Sequence, residues 1–296
     1  MQIYSPSSRE EFSFCPRSFW LRKNGVIPQR IGYPELCGMG GNAIGKAMEV
    51  WNLAVMAGAQ PTVEELIKEG VETLGVGYST EAGHGRSIGS AKDQEFLDSL
   101  PALVEQGIRL LYRVNPLKQY AIIGAEVAFP HAGNARLDVL VKQPDGRGIV
   151  FDYKVKFGEM EEKWLDREFE KHFSGEQRLT YTTLTNTDMF GIILVVLKPR
   201  KDRRQIDPKV VVRTSPVTNQ EKQVWLRDAQ LLTPLMDHTL LIQSPALVPA
   251  KTFPHANQYG DCRYMDACLR YALDPEMMAL DYITVERKQD DTAKSC

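Results

Sequence analysis

Acidic and lysine side chains between positions 126 and 154 form a pattern that could hydrolyse a phosphodiester bond. Asp152 and Lys154 lie two apart in the apolar run IVFDYKV, so a strand would project both to the same side. Asp138 lies in ARLDVLV, which reads as the neighbouring strand across a tight connection at 144–148. We therefore expect these three side chains to face one pocket, with Glu126 on the preceding strand.

Two carboxylates and a lysine on adjacent strands suit metal-assisted phosphodiester hydrolysis. Carboxylate oxygens bind hard divalent cations, which polarise the phosphate and lower the pKa of the attacking water. Lys154 could orient that water or stabilise the developing charge. Taken alone, an Asp-x-Lys pair in a strand is more often an exposed ion pair.

The composition indicates an ordinary soluble globular protein. The chain has 296 residues, of which 43% are hydrophobic and 25% charged. No apolar stretch is long enough to span a bilayer and the polar start lacks a signal peptide, so we expect a cytoplasmic protein with no membrane partner. Five cysteines without an export signal favour thiols or metal ligands over disulfides.

Net charge provides no general attraction to nucleic acid. The formal net charge is −2, so DNA binding would require local positive patches. The strongest basic run is KPRKDRR at 198–204. It is either a DNA contact or the solvated tip of a hairpin.

The order of sequence patterns predicts an α/β protein whose mixed central sheet is flanked by helices. We interpret the chain as a single domain with four segments. These are an N-terminal helical segment (1–60), a helical insertion (61–120), the core (121–215), and C-terminal helices with a cysteine cluster (216–296).

Five strands and several helices are expected within these segments. The strand sequences are AIIGAEVAF, ARLDVLV, GIVFDYKV, FGIILVVL and KVVVRT. Helices are predicted at 41–56, 159–186 and 219–242, with a glycine-rich, mobile loop at 75–89.

Taken together, these motifs resemble the PD-(D/E)xK superfamily, which has a restriction-endonuclease-like fold. Asp138, the Asp152-x-Lys154 pair and a helix with Gln177-x-x-x-Tyr181 occur in the order strand, strand, helix. The opening SPSSREEFSFCPRSFWL and a C-terminal cysteine cluster resemble the RecB-type nuclease branch, which includes CRISPR adaptation nucleases and many phage exonucleases. The resemblance extends over residues 4–271.

This resemblance implies roles for individual residues. Asp138 and Asp152 would bind Mg²⁺ or Mn²⁺, together with the carbonyl of Tyr153. Glu126 corresponds to an acid often found on the preceding strand, and Lys154 to the catalytic lysine.

The resemblance also covers the helix that follows these strands. One metal ligand of the family, on an early helix, is missing here. Gln177 and Tyr181 lie on one helix face, where they would contact DNA or steady the site. Many relatives have a histidine ligand in a Gly-x-x-x-His pattern, but Gly45 stands at the histidine position here. Glu49, one turn later, could reach the same site, or it is an ordinary surface glutamate.

The cysteine pattern is incomplete as well. Cys15, Cys262 and Cys268 match three ligands of the iron-sulfur members, but Tyr259 replaces the fourth. A [4Fe–4S] cluster normally takes four thiolates, so the alternatives are a cluster with another ligand, a zinc site, or three free thiols in a degenerate clasp. The side chains that could complete a site are His255 and Asp261. In each case we expect the three cysteines to pack together.

The leading functional hypothesis is a metal-dependent DNA nuclease, more specifically an exonuclease acting on DNA ends or single strands. The alternative is a weakly active or inactive DNA-end-binding protein that accompanies recombination or repair proteins. The phage relatives suggest a phage origin. No residue distinguishes DNA from RNA or determines polarity and oligomeric state.

Overall fold

The structure is a computed structural model that describes residues 3–133, 135–158, 162–197, 208–250, 256–257 and 260–285. The basic run at 198–204 lies outside these residues. The helices are α1 Pro6–Phe14, α2 Pro16–Lys23, α3 Tyr33–Met56, α4 Val63–Gly83, α5 Ala91–Val114, α6 Glu162–Phe173, α7 Glu176–Leu184, α8 Asn219–Leu240, α9 Met265–Leu269 and α10 Pro275–Met278. The strands are β1 Val26–Pro28, β2 Arg30–Ile31, β3 Ser87–Ile88, β4 Ala121–Phe129, β5 Ala135–Lys142, β6 Gly148–Phe157, β7 Met189–Leu197, β8 Lys209–Pro216, β9 Ala256–Asn257, β10 Gly260–Asp261 and β11 Tyr282–Thr284.

A five-stranded sheet in the order β4-β5-β6-β7-β8 forms the centre of the structure. Strands β6 and β7 run parallel, and the other neighbouring pairs run antiparallel. Strand β7 is buried almost throughout, as suits a central strand covered on both faces. On β8 the exposed side chains of Val212 and Thr214 alternate with more buried ones, as suits an edge. The predicted mixed sheet flanked by helices is confirmed.

Helices α3, α4 and α5 cover one face of this sheet. Ile44 and Met48 of α3 lie in one hydrophobic core with Val104 and Ile108 of α5 and with Phe151 of β6. The helix predicted at 41–56 is confirmed and begins earlier, at Tyr33.

The loop predicted at 75–89 is wrong over its first half, because α4 continues to Gly83. Gly70 and Leu74 are buried in the packing of α4 against α3 and α5. A Cβ at Gly70 would lie 2.6 Å from the Ile108 side chain, so the helices approach closely there. This packing outweighs the low helix propensity of Gly75 and Gly77.

Helices α6, α7 and α8 cover the opposite face. The prediction of a single helix at 159–186 is wrong, because α6 ends at Phe173 and a separate helix, α7, begins at Glu176. Gly175 adopts an extended conformation, and the Glu10 carboxylate accepts a hydrogen bond from the Glu176 N–H at 2.9 Å. This contact caps the start of α7 from another helix. The helix predicted at 219–242 is confirmed as α8, which begins with a capping box formed by Thr218 and Glu221.

The two ends of the described chain lie together. Strand β1 pairs antiparallel with β11, and the Tyr264 hydroxyl donates to the Val26 carbonyl at 2.8 Å. Trp20 and Leu21 of α2 share a hydrophobic cluster with Tyr264 and Tyr271. Within the described ranges, no helix combines the length and apolarity needed to cross a bilayer.

Candidate active site

Strand β6 holds Asp152 and Lys154 on the face covered by α6 and α7. Their neighbour Val150 belongs to the core on that face, whereas Phe151 belongs to the opposite core, as strand alternation requires. Asp152 is only 3% exposed. Lys154 Nζ lies 2.6 Å from Asp152 Oδ2 and donates a hydrogen bond to Gln177 Oε1 at 2.9 Å. Both the acid and the amide therefore hold the lysine head.

Asp138 lies opposite Asp152, where strands β5 and β6 separate. The ladder between them ends at the pair Val139 and Phe151, so Asp138 and Asp152 are the next positions in register. Asp138 Oδ2 accepts a hydrogen bond from the Tyr153 N–H at 2.7 Å. Burial raises the pKa of the Asp138 carboxyl, and the negative charge of Asp152 raises it further.

Glu126 continues this row onto β4. The register between β4 and β5 places it opposite Asp138, and its φ of 51° locally distorts the edge strand. Glu126 Oε2 contacts Arg136 Nε at 2.6 Å. Burial raises the pKa of Glu126, Arg136 opposes that shift, and the charges of Glu49 and Asp152 add to it. The row thus concentrates negative charge at the point where the strands separate.

Glu49 approaches the same row from helix α3. Its charge adds to the rise in the pKa of Glu126, and Glu49 Oε1 contacts Lys46 Nζ at 2.7 Å. Glu49 is therefore not an isolated surface residue. A Cβ at Gly45 would meet nothing within 4 Å, so the position of the absent histidine borders open space.

These carboxylates have the chemistry to bind a metal but are not assembled around one. Among the described residues, no three His, Cys, Asp or Glu side chains form a group that could hold a metal ion. Asp138, Asp152, Glu126 and Glu49 instead contact an N–H group or a basic side chain each. Their oxygen donors suit a hard divalent cation, which would relieve the repulsion that raises the pKa of Asp138. Tyr153, expected to offer its carbonyl, contributes its N–H to Asp138.

Helix α7 brings Gln177 and Tyr181 to the site in different ways. Gln177 contacts Lys154 directly, whereas Tyr181 is 5% exposed and belongs to the core beneath the site. Burial raises the pKa of the Tyr181 hydroxyl, as do the charges of Asp152 and Asp138, while Gln177 opposes the shift. Of the two expected roles, burial favours steadying the site over contacting DNA for Tyr181.

Sequence reasoning did not identify the group that holds helix α7 in place. Arg9 is 1% exposed, and its Nη2 contacts Glu176 Oε2 at 2.8 Å and Thr180 Oγ1 at 2.7 Å. Its guanidinium lies 4.5 Å above the Trp225 ring, whose Nε1 donates to Glu176 Oε2 at 2.8 Å. These partners are far apart in sequence, so no local pattern could have revealed them.

Basic side chains next to Lys154 were also missed. Lys156, on the same face of β6, lies 3.9 Å from Glu168, which also contacts Lys171 and His172 on α6. The hydrogen bond with His172 lowers the pKa of Glu168 to about 2, and the two lysines add to the shift. The signal available in the sequence was the repeat of lysine in DYKVK, which places Lys154 and Lys156 on one face.

The three clasp cysteines lie near one another at the joined ends of the chain. Cys15 is 8% exposed, and Cys262 and Cys268 pack against the cluster around Tyr264. Burial raises the pKa of the Cys262 thiol, and the neighbouring Cys15 and Cys268 add to the rise. An Arg17 N–H donates to Cys268 Sγ at 3.9 Å. Cys262 and Cys268 thus share one hydrophobic cluster, and Cys15 lies close enough to affect the pKa of both thiols.

The described part of the clasp does not fit a complete iron-sulfur or zinc site. Three thiols are present, and they do not form a metal-holding group among the described residues. Tyr259 and His255 lie outside those residues, as does the side chain of Asp261. Three thiols are one fewer than a [4Fe–4S] cluster normally requires.

Comparison with known proteins identifies the family. A search of curated proteins finds no match. The family model described as the PD-(D/E)XK nuclease superfamily matches residues 3–269, which cover most of the chain and include every strand of the central sheet. Its match and the restriction-endonuclease-like mixed sheet agree, and the chain therefore belongs to the PD-(D/E)XK nuclease superfamily.

Proposed function

We propose that this protein is a metal-dependent deoxyribonuclease, and more specifically an exonuclease that acts at DNA ends or in single strands. The observation that carries the proposal is the position of Lys154, held between Asp152 and Gln177 with Asp138 on the adjoining strand. The preference for ends or single strands follows the resemblance to the RecB-type branch. No described contact suggests sequence-specific base recognition.

Each group in the site has a defined task in this proposal. Asp138, Asp152 and Glu126 would hold Mg²⁺ or Mn²⁺, which when bound lowers the pKa of the attacking water and offsets phosphate charge. Lys154 stabilises the negative charge that develops as water attacks phosphorus and the leaving oxygen departs. Gln177 fixes the lysine head by accepting its hydrogen bond.

Local positive charge supports nucleic acid as the substrate despite the net charge of −2. Lys156 and Lys171 lie near Lys154 and share the contact with Glu168; burial lowers the pKa of Lys171, Glu168 raises it, and the two other lysines lower it. Closely spaced cations of this kind attract phosphates. They would hold the strand backbone while the acids face the scissile bond.

Cleavage of end-labelled DNA tests this function. The protein would be incubated with linear single-stranded, linear double-stranded and circular single-stranded DNA, in Mg²⁺, Mn²⁺ or EDTA. We expect short products from linear DNA in either metal, none in EDTA, and intact circles. Cleavage of circles would overturn the exonuclease assignment, and a parallel RNA substrate tests the choice of DNA.

One observation favours the alternative of a DNA-end-binding accessory protein. No three carboxylates of the described site converge on a metal position. A protein that binds DNA without cleaving it needs no such convergence. Tight binding of DNA ends without products in either metal would support this alternative.

Replacing Glu49 by Gln should raise the Mn²⁺ concentration needed for half-maximal cleavage by about tenfold. The change keeps the shape of the side chain but removes a charge next to Glu126. Glu72→Gln is the matched control, because Glu72 is an exposed glutamate on α4. If the two variants need the same Mn²⁺ concentration, Glu49 does not contribute to metal binding and is an ordinary surface glutamate.

The purified protein should be colourless and contain no stoichiometric iron or zinc, because the described clasp supplies three thiols and no complete site. Anaerobic purification, a visible spectrum and elemental analysis would check this. Cys268→Ala should lower the free energy of unfolding by only on the order of 1 kcal/mol and leave cleavage unchanged. A brown protein that loses colour and stability in Cys268→Ala would instead establish an iron-sulfur cluster. Elemental analysis that finds one zinc per chain would establish a zinc site.

A further inference from the structure

A cavity of about 360 Å³ lies between helix α3, the end of α5 and strands β4 and β6. Pockets that bind small organic groups have volumes of roughly 300–1,000 Å³. The lining residues used below are Trp51, Asn52, Tyr112, Lys118, Tyr120 and Tyr153. Their side chains have no part in the reaction proposed above.

Aromatic rings form much of the cavity wall. The centroids of the Trp51 and Tyr112 rings are 5.3 Å apart, and those of the Tyr120 and Phe151 rings are 5.7 Å apart. Tyr112 is 37% exposed, so the wall is accessible from solvent. Flat aromatic faces stack with nucleobases of any sequence, because every base has a π face.

Asn52 adds an unmatched polar group to this wall. The side chain is 3% exposed, and Nδ2 makes no hydrogen bond to any described residue. The Tyr153 hydroxyl lies beside the amide, and this contact opposes the rise that burial causes in the Tyr153 pKa, but it does not meet the geometry of a full hydrogen bond to Nδ2. A buried donor without an acceptor is costly, so a ligand that supplies an acceptor would bind favourably here.

The cavity lies on the face of the sheet opposite Asp152 and Lys154, next to the edge strand β4 that carries Glu126. Tyr153 places its ring in the cavity wall, while its backbone N–H donates to Asp138. Asn52 follows Glu49 by about one turn of α3, so the helix that approaches the acids also lines the cavity. A nucleotide strand whose phosphate reached the acids could therefore place a nearby base in this cavity by passing around the edge formed by β4.

We infer that the cavity binds an unstacked nucleobase of the substrate strand, an inference that rests on the proposed nuclease function. A base offers a flat face for the aromatic wall and ring nitrogen or carbonyl acceptors for Asn52. A purely apolar ligand would leave the amide unmatched. The exposed Lys118 at the cavity supplies a cation for the strand phosphates. Because a paired base cannot enter, this site selects single-stranded DNA.

Binding measured in EDTA separates this inference from catalysis. Fluorescence anisotropy would compare a labelled single-stranded oligonucleotide with an abasic one of equal length. Asn52→Leu and Tyr112→Ala should each weaken binding of the normal oligonucleotide by about tenfold and leave binding of the abasic one unchanged. Tyr78→Ala is the matched control, because Tyr78 is a partly buried tyrosine on α4 that does not line the cavity. Thermal melting checks that each variant is folded.

Equal binding of the normal and abasic oligonucleotides by the wild-type protein would overturn the inference, as would wild-type behaviour of both folded cavity variants. Deoxynucleoside monophosphates form a second arm. If they bind in an Asn52-dependent manner while the two oligonucleotides bind alike, the occupant is a free nucleotide and not the strand. Base-dependent binding without cleavage in Mg²⁺ or Mn²⁺ would instead remove the proposed function and retain the cavity site.

Discussion

Asp152→Asn and Lys154→Met should each lower the rate of DNA cleavage by on the order of 100-fold or more. Asp152 supplies a buried carboxylate, and Lys154 supplies the only positive charge that contacts it among the described residues. Neither replacement should unfold the protein. Asp152→Asn breaks the contact with Lys154 but also removes the charge that raises the pKa of Asp138, so the two effects on stability oppose each other. Single-turnover cleavage rates and melting temperatures would measure both outcomes.

The matched controls lie at the other end of the same pair of strands. Asp145→Asn changes an exposed residue of the connection between β5 and β6, and Lys142→Met changes an exposed residue at the end of β5, both away from the acids. They should retain the wild-type cleavage rate. A folded Asp152→Asn or Lys154→Met protein that cleaves as fast as its control would refute the assignment of the site.

Arg9→Met should lower the free energy of unfolding by about 3 kcal/mol, because breaking a buried ion pair leaves its partner uncompensated. Arg9 lies on α1. It connects this helix to α7 through Glu176 and Thr180, and to α8 through the ring of Trp225. Burial lowers the pKa of Arg9, while the charges of Glu176 and Glu10 raise it. Without the guanidinium these two carboxylates would repel each other. Chemical denaturation would measure the loss.

The expected functional consequence of Arg9→Met is a slower reaction in the protein that remains folded. Helix α7 carries Gln177, so a displaced helix would loosen the hydrogen bond to Lys154. Arg109→Met is the control, since the ion pairs of Arg109 with Glu64 and Glu105 are exposed and their loss should change stability little. Equal stability of the two variants would show that the Arg9 network is not a structural support.

Much of the core architecture could be predicted from local sequence patterns. The five apolar runs indicated the strands of the sheet, and alternation placed Asp152 and Lys154 on one face. The spacing of Gln177 and Tyr181 placed them on one side of a helix. That helix was predicted to begin at 159, but it begins at Glu176. These features depend on neighbours a few residues apart, so period and residue type sufficed.

The sequence by itself determined the strands, the types of the catalytic candidates and their shared strand face, because each of these follows from local backbone geometry. Only the tertiary structure decided that Glu126, Asp138 and Asp152 form one row, since that depends on the register between three strands. It also decided that α4 continues through its glycines and that Arg9 meets Glu176 across 167 positions of the chain. Such contacts arise when separate elements bury their apolar faces together, and no local pattern specifies which distant side chains then become neighbours.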